Sequence, residues 1–454
     1  MKTIHSLSLG LICSLTIACS DTGIGRSAER KAIEVMGAMA QKRMAEGGHG
    51  GFHSTPIAVK KINERVWQVQ GTANTQAIQT DEGVVLFDTG LIIQAGEQRK
   101  QLAPKLEGPV THIILSHSHA DHVGGWKLWR EPETITVAHR EFAEEQRYLT
   151  ELADYQHRRN WVMFTWLPKE RPKNKLMDFR GIEADITVGE QDYHFEQGGV
   201  RFEVLSTPGA EGADNVSLWL PDDKILFTGD TLGPNFPQFP NIFTARGEKI
   251  RKPVEYLHSL DKLIALQPEI LVPSHRDPIV GRETIVSGLQ TIRDAVDYVH
   301  QAVVDGMNEG KTVYELMASV SLPPELQLTE EHGKVSWAVR SIWEYYATWF
   351  HFDSPTELYH VPVRSLYSDI AEMAGSDALL AKAEQYLNDG QPLRALHLTE
   401  MVRAQQSDHR NALQIAKQAL QQLREEARSG SMNTYEYDIL SMYIEQTEKQ
   451  LEGL

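Results

Sequence analysis

The segment His117-Ser118-His119-Ala120-Asp121-His122 decides the fold, because three imidazoles and a carboxylate follow directly on a short apolar strand. That strand is Ile113-Ile114-Leu115, with only Ser116 between, and Gly124-Gly125 close the loop. Neutral imidazole and carboxylate are preferred ligands of zinc and other borderline divalent ions. A strand-end turn needs no histidine for its own structure, so the segment predicts a metal site.

The spacing predicts two metal positions. His117 and His119 are two residues apart in an extended stretch and point the same way, whereas Asp121 and His122 turn toward an adjacent position. Further ligands are expected where later strands end, on the same edge of the domain, and an aspartate after Thr228-Gly229 is suited to bridge both metals. The predicted ligands are His117, His119, Asp121, His122, Glu211, Asp230 and His275. Asp121 and Asp230 are also predicted to be catalytic.

The expected chemistry is hydrolysis by a metal-bound hydroxide. Two cations that share a water lower its pKa toward about 7 and stabilise charge on an attacked carbonyl, phosphoryl or sulfuryl group. Asp88, directly after the strand Val84-Val85-Leu86-Phe87, is interpreted as holding a ligand or the loop rather than binding metal.

The rest of the chain predicts mixed α/β layers followed by helices. Beyond Arg282 the apolar spacing becomes helical, and Thr312 with Glu315 forms a capping box. Ala-rich helices between Asp377 and Glu425 look like tetratricopeptide-style hairpins, which suit a dimerisation or docking module. The predicted strands are 66–69, 75–78, 84–87, 113–115, 135–137, 200–205, 216–220, 225–227 and 270–272.

The N-terminal segment predicts export. Leu7 to Ala18 is apolar but too short to span a membrane, as in a cleaved signal peptide. The stretch Leu15 to Cys19 resembles a bacterial lipobox, with ordinary signal cleavage as the alternative. We therefore expect a periplasmic or cell-envelope protein, anchored to the outer membrane through lipid on Cys19. Only Cys13 and Cys19 occur in the chain, so the metal ligands are nitrogen and oxygen.

The charge balance excludes nucleic acid as a partner. The formal net charge is −17, and no stretch combines clustered Lys and Arg with aromatic residues. A small anionic substrate remains compatible, because a metal site and a few arginines outweigh the global field locally.

The residues quoted above resemble the metallo-β-lactamase superfamily over roughly Pro56 to Gly281, and within it the zinc-dependent alkylsulfatases. Most relatives place a histidine after the Thr-Pro-Gly turn, whereas alkylsulfatases use a glutamate, as at Glu211. Leu322-Pro323-Pro324, Thr348-Trp349-Phe350 and the helices from Asp377 resemble the alkylsulfatase dimerisation domain. The resemblance implies an αββα sandwich, an all-α tetratricopeptide-like domain and a homodimer.

The resemblance also implies two Zn²⁺ ions and an anionic alkyl sulfate ester as substrate. Arg246, within Asn241 to Gly247, corresponds to the arginine that binds sulfate in the family, and Arg251 is a second candidate. The segment Trp161 to Trp166 is expected to form an apolar lid over the organic tail. The implied domains are a signal peptide at 1–19, a tether at 20–55, a catalytic domain at 56–300 and a dimerisation domain at 301–454.

Two departures from alkylsulfatases leave other functions open. Asp230 stands where the family has glutamate, and Trp337 stands where it has a substrate-side histidine. The alternative is a hydrolase of another ester, a lactone, a phosphoester or a β-lactam. A diiron redox site is a second alternative, against which the lack of an evident flavin module argues. A scaffold with a relict site is a third, against which the complete ligand set argues.

Overall fold

The structure is a computed structural model that describes residues 23–46, 55–164, 167–173, 175–243, 245 and 247–454. The predicted signal peptide, the anchor at Cys19 and the predicted sulfate ligand Arg246 lie outside the described residues. Among the described helices, none is both long and apolar enough to cross a lipid bilayer.

Two β-sheets form the centre of the first compact unit. The first sheet has the strand order β1 to β7, antiparallel from β1 to β4 and parallel from β4 to β7. Its strands are β1 (Val59–Lys61), β2 (Val66–Val69), β3 (Thr75–Thr80), β4 (Gly83–Phe87), β5 (Val110–Ile114), β6 (Ile135–His139) and β7 (Ile186–Val188).

The second sheet has the strand order β13-β12-β11-β10-β9-β8, and only the β11–β12 pair is parallel. Its strands are β8 (Tyr193–Gln197), β9 (Val200–Ser206), β10 (Val216–Leu220), β11 (Ile225–Phe227), β12 (Ile270–Val272) and β13 (Ile279–Val280).

A single apolar core joins the two sheets. Val85 and Phe87 of β4 contact the same cluster as Val216 and Leu218 of β10 and Phe227 of β11, and all are fully buried. Strands buried on both faces read as continuous apolar runs, which is why β4, β10 and β11 were predictable. The prediction missed β1, β7, β8 and β13, which have two to five residues and are partly exposed.

Short helices cover the outer face of the first sheet. Leu102, Val123, Trp129 and Phe142 from four successive helices share a buried cluster with Leu86 of β4. The helices α1 to α7, which lie wholly or partly in the first compact unit, are α1 (Gly23–Glu46), α2 (Ile92–Leu102), α3 (Ala120–Val123), α4 (Trp126–Trp129), α5 (Phe142–Glu151), α6 (Ala153–Met163) and α7 (Pro253–Ala265). The predicted α/β sandwich is thus confirmed.

Helix α1 lies within the segment predicted as a tether. Its Ile33 is fully buried with Ile92 and Ala95 of α2 and Leu128 of α4. Gly37 and Gly96 mark the close approach, since a Cβ on Gly37 would lie 2.9 Å from the Ile93 carbonyl oxygen. The described part of residues 20–55 therefore packs on the α/β unit.

The second compact unit is helical. Its helices are the end of α8 (Arg282–Asn308), α9 (Val313–Ser319), α10 (Val335–Ala347), α11 (Tyr367–Ala374), α12 (Ser376–Asn388), α13 (Pro392–Gln405), α14 (Arg410–Arg428) and α15 (Thr434–Glu452). The predicted capping box is confirmed, because Thr312 accepts from the Glu315 amide and Glu315 accepts from the Thr312 amide. Ala383, Ala395 and Ala412 are fully buried where α12, α13 and α14 pack together.

The two units are not divided at a single point of the chain. The helical unit comprises residues 158–167, 238–252 and 294–454, and the α/β unit comprises the rest. The predicted domain limits, including the one at residue 300, stay predictions.

Candidate metal centre

The seven predicted ligands all follow strands of the α/β unit at the same end of the two sheets. His117 follows β5, Glu211 follows β9, Asp230 follows β11 and His275 follows β12. Strands β4 and β5 are parallel, as are β11 and β12, so their carboxyl ends meet at one edge. This is the placement that the sequence predicts.

The donor atoms form two groups of three. His117, His119 and Asp230 make up one group, and Asp121, His122 and His275 make up the other. Within each group the potential ligand atoms lie within 4.8 Å of one another. The division arises because His119 lies in extended backbone directly before α3, whereas Asp121 and His122 lie in the single helical turn of α3.

Asp230 lies between the two groups. Its carboxylate is 3.3 Å from Nε2 of His122 and 3.0 Å from Nε2 of His275, although it shares a group with His117 and His119. A carboxylate has two oxygens and can bind two cations at once, so this position suits a bridging ligand.

Glu211 completes the set beside His119. Its Oε2 lies 3.9 Å from Nδ1 of His119, and its side chain is buried. Nε2 of His117 is 2.8 Å from Nδ1 of His119, so these two nitrogens converge with Glu211 nearby.

Asp88 organises the centre without belonging to either group. Its carboxylate accepts hydrogen bonds from the Ser116 amide, the Ser116 hydroxyl, the Ser274 hydroxyl and Nδ1 of His122, all at 2.8 Å. The bond to Nδ1 fixes the tautomer of His122 that leaves Nε2 as the free donor atom. Asp88 thus holds His122 and the loop in place, as the sequence predicted.

Sequence reasoning missed the other groups that orient the imidazoles. Nδ1 of His275 lies 2.5 Å from the Thr72 carbonyl, and Nδ1 of His117 lies 3.0 Å from the Ser116 hydroxyl. Ser116 and Ser274 each directly precede a ligand histidine, which is a signal that the sequence offers. A main-chain carbonyl such as that of Thr72 carries no side-chain signal.

A tight approach of two loops fixes the position of Asp230. Gly229, directly before Asp230, has a φ of 56°, and a Cβ there would lie 2.6 Å from Cβ of Ser116. A side chain at Gly229 would therefore be strained and would displace Ser116, which binds Asp88.

The protein groups of the centre stabilise opposite charges on one another. Burial opposes charge on Asp230, but His122 and His275 hold the pKa of its carboxyl well below its usual range. Burial also disfavours a charged His122, yet the carboxylates of Asp230, Asp121 and Asp88 raise its pKa well above the usual value. Burial and the charges of His122 and His119 lower the pKa of His117. The centre thus attracts positive charge.

The residues fit divalent cations. Nε2 of His122 is buried and has no hydrogen-bond partner among the described residues, and it points toward Asp121 and Asp230 at 3.6 and 3.3 Å. A buried polar atom without a partner costs free energy, which a bound cation would offset. Four imidazoles and three carboxylates match the ligand preferences of zinc.

Arg251, the second predicted sulfate ligand, lies in the helical unit. Its buried guanidinium forms an ion pair with Glu248 at 2.7 Å and also donates to the Asn241 carbonyl oxygen. These bonds hold the loop 238–252 together, and a contact of Arg251 with substrate stays a prediction.

In the same unit, Met163 of the predicted lid is buried with Phe243 and Tyr435. The ring of Trp337 packs on that of Phe243, with 4.7 Å between the ring centres.

Two family descriptions match the chain. Residues 70–275 match the metallo-β-lactamase superfamily, and residues 312–441 match the alkyl sulfatase dimerisation family. The chain therefore contains a metallo-β-lactamase domain followed by an alkyl sulfatase dimerisation domain, as the sequence resemblance implied.

Curated relatives agree with this assignment. The chain is 32% identical to a linear primary-alkylsulfatase of a Pseudomonas species over 68% of this chain and 62% of the relative. It is 24% identical to an (R)-specific secondary-alkylsulfatase of Pseudomonas over 80% of this chain and 59% of that protein. The chain thus spans about three fifths of the length of these relatives.

A solved structure shares the fold. The stereoselective inverting sec-alkylsulfatase from Pseudomonas superposes with a TM-score of 0.74 at 21% identity, over 88% of this chain and 66% of that one.

Proposed function

We propose that the protein is a metal-dependent hydrolase whose substrates are alkyl sulfate esters. The observation that carries the proposal is the pair of three-residue groups, with Asp230 between them, in a metallo-β-lactamase domain. The preference for sulfate esters is supported by Glu211 and by the similarity to alkylsulfatases. Two zinc ions are the proposed cofactors.

Divalent cations at these ligands would act as Lewis acids and would lower the pKa of a water that binds them to about 7. The protein groups do the positioning. Asp88 fixes His122, and Ser116 and the Thr72 carbonyl fix His117 and His275, so the donor atoms are oriented before a cation binds.

Asp121 is the proposed proton acceptor. Its side chain is 24% exposed, more than those of the other ligands for which exposure is given, so it is accessible to water and substrate. Burial opposes its charge, but His122 and His275 lower the pKa of the carboxyl, which keeps it ionised. An ionised carboxylate only accepts hydrogen bonds and can orient a water through its O–H.

A panel of esters tests the proposal. Protein purified without added metal is analysed for zinc and iron, then assayed with dodecyl sulfate, a nitrophenyl phosphate, a nitrophenyl acetate and a chromogenic β-lactam. We expect two zinc ions per chain and release of sulfate from dodecyl sulfate. Intact dodecyl sulfate with cleavage of another ester would refute the sulfatase assignment, and stoichiometric iron would refute the zinc hydrolase. The variants Arg246→Gln and Arg251→Gln test the two predicted sulfate ligands.

We also propose a homodimer formed through the helical unit. Trp349 and Phe352 are 68% and 84% exposed, and Phe350 contacts both rings. Exposed aromatic clusters of this kind mark protein interfaces. The match of residues 312–441 to the dimerisation family supports the same conclusion.

Export to the cell envelope with lipid on Cys19 is proposed on the sequence alone. Cys19→Ser should move the protein from the membrane fraction to the soluble periplasmic fraction, while Cys13→Ser should leave it membrane-bound. Equal fractionation of both variants would contradict the anchor.

A further inference from the structure

A cleft on the α/β unit, between the first half of α1 and the region of α2 and α4, has a volume of about 400 Å³. Its charged lining consists of four basic and two acidic side chains, namely Arg26, Arg30, Lys31, Arg99, Glu34 and Glu131. The cleft is positive although the whole chain carries a formal charge of −17. A local excess of cations in an acidic protein needs a physical reason.

The folded chain gains little from this arrangement. Helix α1 has no acidic residue in its first turn, and Arg26 lies near its N-terminus, where the helix dipole already repels cations. Burial and the charge of Arg99 lower the pKa of Arg30, so these two guanidinium groups repel each other. This repulsion opposes folding, so it does not explain why the two arginines lie together.

The guanidinium groups keep unused donors. One terminal nitrogen of Arg30 donates to the Arg130 carbonyl oxygen at 2.6 Å, but its Nε is buried without a hydrogen-bond partner among the described residues. Nε of Arg99 is also buried without a hydrogen-bond partner among the described residues. The Arg99 guanidinium lies 5.5 Å from the centre of the Trp129 ring. The one carboxylate within ion-pair distance of Arg99 is Glu34, at 3.7 Å, and no ion pair to Arg26, Arg30 or Lys31 occurs in the described parts of the chain.

We propose that this cleft binds a phosphate group through Arg26, Arg30, Lys31 and Arg99. Phosphate offers several strong acceptors to guanidinium donors, and its negative charge complements the excess of cations in the lining. The group is carried either by an anionic phospholipid or by a soluble phosphate, which present the same chemistry to the arginines. The site shares no residue with the metal centre.

The test measures binding of inorganic phosphate by calorimetry. Arg30→Gln with Arg99→Gln should weaken binding about tenfold or more, because charge-assisted hydrogen bonds are lost. Lys31→Gln, an exposed change that does not threaten folding, should weaken binding about threefold. Lys105→Gln, an exposed lysine outside the cleft, is the matched control and should bind as the unaltered chain does. Thermal unfolding without phosphate checks that each variant folds.

Two further arms locate and classify the ligand. Asp121→Asn should bind phosphate as the unaltered chain does. If Asp121→Asn lost phosphate binding while the double arginine variant kept it, phosphate would be bound at the metal centre and the proposal would be overturned. In a Cys19→Ser background, sedimentation with phosphatidylglycerol vesicles is compared with pure phosphatidylcholine vesicles. Binding to the anionic vesicles that depends on Arg30 and Arg99 assigns a lipid headgroup, and binding of inorganic phosphate alone assigns a soluble ligand. Absence of both, or equal binding by the arginine variant, refutes the site.

Discussion

The metal centre and the segment that follows α10 place their side chains in opposite ways. The centre buries charged and polar groups such as Asp230 and His122, whereas the helical unit exposes the aromatic rings of Trp349 and Phe352. Buried charge and exposed apolar surface both raise the free energy of a chain. A cation would offset the first cost and a second apolar surface the second. Because a cation and an apolar surface are chemically different partners, substitutions can remove the need for one without affecting the other.

Removing the bridging carboxylate should have the largest effect. Asp230→Asn keeps the size of the side chain but removes the negative charge of a carboxylate that belongs to one group and lies 3.3 and 3.0 Å from His122 and His275 of the other. We expect a loss of turnover of about a thousandfold, since metal ions contribute several kcal/mol to such reactions. Bound metal, measured by mass spectrometry, should fall in parallel. The exposed Asp222→Asn is the control, and turnover of Asp230→Asn within tenfold of the control would contradict the bridging role.

Altering the support of the centre should have a smaller effect. Asp88→Asn replaces an anionic acceptor of four hydrogen bonds by a neutral amide, so His122 is less well fixed. Metal affinity should fall about 10- to 100-fold in a chelator competition. Ser274→Ala removes one of the four bonds and should lower affinity less. Equal losses in both variants would argue against an orienting role for the carboxylate.

His139 sharpens the comparison because it is a buried imidazole whose nitrogens both have protein partners. Nδ1 accepts from the Glu141 amide, and Nε2 lies 3.0 Å from the Ser206 hydroxyl. Burial, assisted by the charge of Arg140, lowers its pKa from 6.5 to about 4. The folded state binds the proton more weakly, so the stabilisation is complete above pH 6.5 and is lost as the pH falls toward 4.

His139→Gln should remove that dependence. Between pH 7 and pH 4 the free energy of unfolding should fall by about 2–3 kcal/mol less in the variant than in the parent chain. Urea titrations at a series of pH values measure the difference. His194→Gln, an exposed change on β8, is the control and should give the same plot of unfolding free energy against pH as the parent chain. If the plot for His139→Gln ran parallel to that of the parent chain, the pH dependence would not arise from His139.

The exposed aromatic cluster should show the smallest change. Trp349→Ser with Phe352→Ser removes apolar surface from the helical unit and should weaken self-association about tenfold, as measured by sedimentation. Val280→Ser alters an exposed apolar residue of the α/β unit and should leave association unchanged. Unaltered association of the double variant would place the dimer contact elsewhere.

The sequence predicted which side chains the structure brings together, because these residues are local signals. His117 to His122 form one short motif, and Glu211, Asp230 and His275 each follow an apolar run that could only be a strand. The separation of His119 from Asp121 followed from backbone periodicity alone.

Other features were not predictable because they depend on distant contacts. The Thr72 carbonyl that binds His275 comes from a loop about two hundred residues earlier, and main-chain groups have no sequence signature. The packing of Ile33 in α1 against α2 was also not predicted. The sequence predicts a tether here because the apolar residues of this helix form only a weak stripe. The cleft beside Arg30 depends on that packing.

The discontinuous helical unit has a consequence for the order in which the protein acquires its structure. Residues 158–167 and 238–252 belong to a unit whose largest part, 294–454, is synthesised last. The sheets can close once residue 280 is available, but the contacts of these two segments with the C-terminal helices can form only when those helices exist. In pulsed hydrogen exchange, amides of the two segments should gain protection with the last helices rather than with the strands of the sheets.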